Sequence, residues 1–153
     1  MVKFLETPAG QKLAYSFIKG TGPTVIFLGG FKSDMEGSKA IFLEKWAKKR
    51  NRSFLRFDYS GHGQSSGDFH NLGIGDWFND AKQIIELKVK NGIILIGSSM
   101  GGWISLLLSR ELGRRLKGLI TIAAAPDFTE ESMWNNFTEH QKKEILNKGI
   151  LHL

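Results

Sequence analysis

Apolar and polar residues alternate over residues 2–6 and 12–18, on either side of Pro8-Ala9-Gly10, which predicts an opening antiparallel hairpin. Residues 24–28 form an almost unbroken apolar run, as expected of a strand covered on both faces. A helix is predicted over 38–50, with Ala40, Leu43, Trp46 and Ala47 on one side, and a strand over 52–58. From 75 to 89, Trp77, Phe78, Ala81, Ile84 and Ile85 recur at helical spacing rather than alternating. A short strand over 92–96 leads into a helix over 99–112 that is apolar almost all round and so belongs in the middle of a domain. Residues 118–124 read as a sixth strand. Asp127-Phe128-Thr129-Glu130 and Thr138-Glu139-His140-Gln141 both have capping-box spacing, so two short helices are expected to close the chain.

Glycine punctuates this pattern. Gly29-Gly30, then Gly61, Gly63 and Gly67, then Gly97 with Gly101-Gly102 each follow a predicted strand. Strand, glycine turn and amphipathic segment in succession are the rhythm of an α/β protein with a mostly parallel sheet. No internal repeat, low-complexity tract or linker interrupts it, so residues 1–153 read as one domain.

Composition narrows the function classes. The 153 residues contain no cysteine, which removes disulfide frameworks, Cys-ligated zinc and thiol catalysis. The longest apolar runs fall short of the ~20 residues that cross a bilayer, and the first residues lack the charged-then-apolar pattern of a signal peptide. A cytoplasmic protein without a membrane span is expected. Lys+Arg exceed Asp+Glu by 21 to 15, but the cations gather around Lys45–Arg52, Arg110–Lys117 and Lys142–Lys148, at or just past predicted helix ends. Helix dipoles favour cations there, so solvated helix ends are preferred over a nucleic-acid footprint.

The segment richest in chemistry is Gly97-Ser98-Ser99-Met100-Gly101, a G-x-S-x-G between a predicted strand and helix. A serine at such a turn is forced into a strained backbone conformation, and small neighbours let the chain bend that tightly. Its hydroxyl projects from the carboxyl edge of the sheet at a helix N-terminus, where negative charge on a substrate oxygen is favoured.

With that placement the chain resembles the α/β-hydrolase family. Leu28-Gly29-Gly30-Phe31 is similar to the family's His-Gly-x segment, with Gly29 in place of His. Asp58-Tyr59-Ser60-Gly61-His62-Gly63-Gln64-Ser65 resembles its D-x-R-G-x-G-x-S loop, with Ser60 in place of Arg. The resemblance implies that Ser99 is the nucleophile and that the amides of Phe31 and Met100 form the oxyanion hole. It also implies a small acyl-ester or thioester substrate and no metal or organic cofactor. Leu28 through Met35, Asp76-Trp77 and Ala123 through Phe128 look most like small acyl-ester and acyl-protein thioesterases within the family.

A serine hydroxyl needs a base and an acid that orients it. In this family the acid and then the His follow the serine. Here the chain ends two short helices after the sixth strand, so a C-terminally incomplete domain is expected, with a lid beginning near 127. His62 reads as part of a structural turn, His70 as solvated, and His140 and His152 as weak candidates for reaching Ser99. Asp127 reads as a helix N-cap in preference to a catalytic acid, with the second role open. Trp77, Trp103 and Trp134 read as packing residues. Two functions stand side by side: a serine esterase or thioesterase working through an acyl-enzyme on Ser99, and an inactive remnant or interaction module. An uncovered sixth strand further implies self-association or a complementing C-terminal fragment.

Overall fold

The computed structural model describes residues 1–8 and 10–149; Ala9, at the tip of the first expected turn, and His152 lie outside the described residues. The strands are β1 (Lys3–Glu6), β2 (Lys12–Ile18), β3 (Thr21–Leu28), β4 (Arg52–Phe57), β5 (Ile93–Ser98) and β6 (Leu116–Ile122). They form one sheet in the order β1-β2-β4-β3-β5-β6. The opening hairpin is antiparallel and joins β4 antiparallel, whereas β4, β3, β5 and β6 run parallel.

Helix α1 (Ser38–Lys49) covers one face, and α2 (Ile74–Lys88) and α3 (Met100–Leu112) cover the other. The alternation along β3 shows how. Val25 and Phe27 pack towards α1 with Ala40, Ala47, Phe54 and Ile96, while Ile26 and Leu28 join Leu55, Ile84, Ile85, Leu95, Ile104 and Leu108 on the opposite side. A strand buried on both sides cannot alternate in hydropathy, so its run in the sequence is unbroken.

Several expectations shift. β6 starts at Leu116 and stops at Ile122, because Ala123 turns to φ 47° and leaves the extended region. α3 is buried along one side only; Leu106 is 38% exposed. The Asp127 capping box does not form. Asp127 sits at φ 52°, and its carbonyl rather than its carboxylate takes the Glu130 and Glu131 N–H groups. The chain then makes a single π-helical turn, Thr129–Met133, and a 3-10 turn, Trp134–Asn136, so Trp134 lies on no helical stripe. The second capping box does form: Thr138 Oγ1 accepts from Gln141 N–H at the start of α4 (Glu139–Lys148). Lys142 and Lys143 therefore lie inside α4 rather than at its end, with Lys142 paired to Glu139 at 3.2 Å.

Candidate active site

Ser99 stands between β5 and α3 with φ 54° and ψ −120°, a conformation that costs a non-glycine residue strain and needs support from its surroundings. That support is visible on both sides of the residue. Its N–H donates to Ile122 O at 2.9 Å, and its carbonyl accepts from Gly102 N–H at 2.8 Å and Ala125 N–H at 3.2 Å. The flanking glycines are required by space. A Cβ on Gly97 would collide with the Gly101 carbonyl and Ser105 Oγ, and one on Gly101 would collide with the carbonyls of Leu28 and Gly29. The small residues of G-x-S-x-G thus let the turn press against the end of β3.

Sheet register brings the second segment to the same place. Leu28 of β3 pairs with Gly97 of β5, so the chains leaving both strands emerge side by side. A Cβ on Gly30 would lie 3.3 Å from Ser99 Cβ. Ser99 and Gly29 through Phe31 line one cavity of about 300 Å³, with Ser33, Asp34 and Lys39 at its polar side. Among the described residues, the Phe31 and Met100 N–H groups have no acceptor. The Phe31 ring meets Phe69, Trp77 and Phe128 edge to face at 5.1, 6.0 and 5.6 Å, and Phe128 meets Trp103 at 5.9 Å. Trp77 is buried as a packing residue.

The loop after β3 is anchored by β4 and the loop behind it. Tyr59 Oη donates to Gly29 O at 3.5 Å, and Arg56 Nη1 donates to Met35 O at 2.8 Å. Asp58 accepts Met35 N–H at 2.6 Å on one oxygen and Gln64 N–H at 2.9 Å on the other. Burial pushes the Asp58 carboxyl above its ordinary value despite those two donors, and burial likewise raises Asp80, which accepts Ser60 N–H at 2.8 Å. Arg56 is itself fixed by Glu44 and Glu36. For Glu44, burial works upward but the hydrogen bonds and charges of Lys48 and Arg56 prevail, and its carboxyl lies below the ordinary value.

The histidines are dispersed. His62 is buried with both ring nitrogens on backbone, Nδ1 3.1 Å from Ser60 O and Nε2 3.3 Å from Lys32 N. His70 and His140 are exposed. Among the described residues no histidine ring is hydrogen bonded to Ser99, and Asp127 is exposed. The anchoring roles of Asp58, Arg56 and Tyr59 escape sequence reasoning; only Asp58, at the head of the glycine-rich loop, carried a signal. Among the described residues, no cluster of His, Asp and Glu could hold a metal ion, and no helix is long and apolar enough to cross a membrane.

Comparison with known proteins fits this geometry. The family model for serine aminopeptidase S33 (Hydrolase_4) matches residues 22–149. Palmitoyl-protein thioesterase ABHD10, mitochondrial, of Bos taurus is 35% identical over 149 residues, which are 97% of this chain and 48% of that protein. The solved structure of alpha/beta hydrolase domain-containing protein 10 from mouse superposes with a TM-score of 0.91 at 35% identity, covering 100% of this chain and 61% of that one. A solved structure from Agrobacterium vitis S4 gives 0.90 at 31% identity, covering 99% and 62%. The chain spans about half the length of the curated relatives it matches.

Proposed function

The chain belongs to the α/β-hydrolase family through its serine aminopeptidase S33 branch, and from that premise we propose that it is a serine hydrolase of carboxylic esters or thioesters that works through an acyl-enzyme on Ser99. One observation carries the reading. Ser99 is held at φ 54° at the head of α3, directly against the Gly29–Phe31 loop, with the Phe31 and Met100 N–H groups left without acceptors among the described residues.

In this reading Ser99 Oγ attacks the acyl carbonyl carbon. The carbonyl oxygen takes the electron pair and is held by the Phe31 and Met100 amides. Such preformed donors are worth on the order of 10²–10³ in rate each. Collapse expels the alcohol or thiol with the proton from Ser99, and water then cleaves the acyl-enzyme to the free acid and regenerates the hydroxyl. No metal or organic cofactor enters these steps. The Phe31, Phe69, Phe128 and Trp103 rings give an acyl chain an apolar wall. The thioesterase relatives support a thioester among the substrates.

The Ser99 hydroxyl also needs a proton acceptor. His62 is committed to backbone on both nitrogens, and among the described residues no histidine ring is hydrogen bonded to Ser99, so this reading takes a complementing C-terminal fragment as the proposed source of the base. The same observation favours a second reading, in which this chain is a remnant or interaction module without turnover. Short p-nitrophenyl esters and acyl thioesters separate the two. The hydrolase reading expects hydrolysis, even if slow, that vanishes in Ser99→Ala. Equal rates for the wild type and Ser99→Ala would favour the remnant.

A further inference from the structure

The residue after the Phe31 donor, Lys32, is a non-glycine residue at φ 55°. A bulky side chain in the left-handed region persists only where its surroundings hold it. Its side chain spans the Phe31 and Phe69 rings, with Nζ 5.9 and 5.4 Å from their centroids. Its N–H donates to Nε2 of His62 at 3.3 Å. That ring is 4% exposed and enclosed by Tyr59, Phe69 and Trp77. Its Nδ1 points at Ser60 O, which also accepts the Trp77 indole N–H at 3.0 Å, and a carbonyl can only accept. The hydrogen bonds therefore fix the neutral tautomer with the proton on Nδ1 and a bare Nε2.

We infer that His62 is a positioning residue for the oxyanion loop: as the neutral Nδ1–H tautomer it holds Lys32 in its left-handed conformation and so aims the adjoining Phe31 N–H at the substrate oxygen. The inference rests on the role assigned to Phe31 above. It also contains a pH dependence. Protonation puts a second N–H on Nε2, which then faces the Lys32 N–H donor to donor, and the tether is lost. Charged and titratable groups facing the ring, among the described residues, are Asp80 from α2, Lys32 and Asp34 from the tethered loop, and Tyr59 from its own segment.

The tether and its consequence are tested separately. In ¹⁵N-labelled full chain, long-range ¹H–¹⁵N spectra of the His62 ring should show Nδ1 protonated and Nε2 bare, and the Lys32 amide shift should titrate with the ring. An Nε2–H tautomer, or a Lys32 amide indifferent to that titration, would overturn the inference. In the second arm a fluorophosphonate probe reads the reactivity of Ser99. His62→Phe should slow labelling by on the order of tenfold to a hundredfold, the effect of a misplaced group near reacting atoms. His62→Gln, whose amide oxygen can accept from Lys32, should recover most of that loss and lack the acid limb that follows the ring. Labelling of His62→Phe at the wild-type rate would overturn the inference. A wild type that takes no label would instead count against the hydrolase reading, and the Lys32 shift would still decide the tether.

Discussion

At the scale of single residues, the site is a matter of clearances. Gly97 and Gly101 leave no room for a Cβ, because Gly97 lies against the Gly101 carbonyl and Ser105 Oγ of α3 and Gly101 lies against the end of β3. Gly97→Ala or Gly101→Ala should cost roughly 1–3 kcal/mol, as overpacked interiors do, read as a lower urea midpoint, and should slow labelling of Ser99. Asp58 makes the complementary case. It serves as acceptor for two backbone N–H groups, so Asp58→Ala strands both donors and should cost roughly 2–4 kcal/mol. The same denaturation measurement checks it. The turn at Ser99 was legible in the sequence because its requirement is local: small residues two positions either side of a serine, after a strand. The tethers by Tyr59, His62, Asp58 and Arg56 join residues more than 20 positions apart, and no spacing rule announces such pairs.

At the scale of elements, β4 and α1 hold the loop between β3 and α1 through charge. Arg56 links Glu44 on α1 with Glu36 and the Met35 carbonyl. Glu44 lies below its ordinary value in the folded chain, so its contribution is fully present above the unfolded carboxylate value, about 4.3, and is lost as pH falls through the folded value. Asp58 and Asp80 are raised, so theirs is present at low pH and lost as pH rises through their folded values. Thermal melts should therefore show acid destabilisation that Glu44→Gln removes in part. At neutral pH the same variant leaves Arg56 short of a buried partner and should lose about 3 kcal/mol. An unchanged acid limb in Glu44→Gln would contradict this division. Element type was readable where one helical period marks a single buried face, as in α2, and where an unbroken apolar run marks burial on both faces, as in β3. It was misread at 127–136, where Asp127 offered a capping side chain but the backbone took a left-handed turn and used its carbonyl instead.

At the scale of the whole molecule, the sheet changes character from centre to edge. β3 and β5 are covered on both faces, while Ile120 and Ile122 on β6 are 52% and 37% exposed and the outer side of β6 pairs with no strand among the described residues. An exposed apolar edge recruits another chain. The isolated chain should self-associate with rising concentration through this edge, and Ile120→Lys should shift it towards monomer in sedimentation velocity. A monomer at all concentrations would contradict that. The parallel sheet was foreseeable from three successions of strand, glycine turn and helix, but only the register, Leu28 beside Gly97, explains why loops far apart in the chain meet at one serine.

In the proposed function this meeting makes Ser99 a nucleophile facing two amide donors. Intact-mass spectrometry after exposure to a fluorophosphonate, with peptide mapping, tests it most directly. One adduct on Ser99, absent in Ser99→Ala and suppressed by denaturing the chain first, is the expected result. An adduct spread over surface hydroxyls, or no adduct on folded wild-type chain, would contradict it.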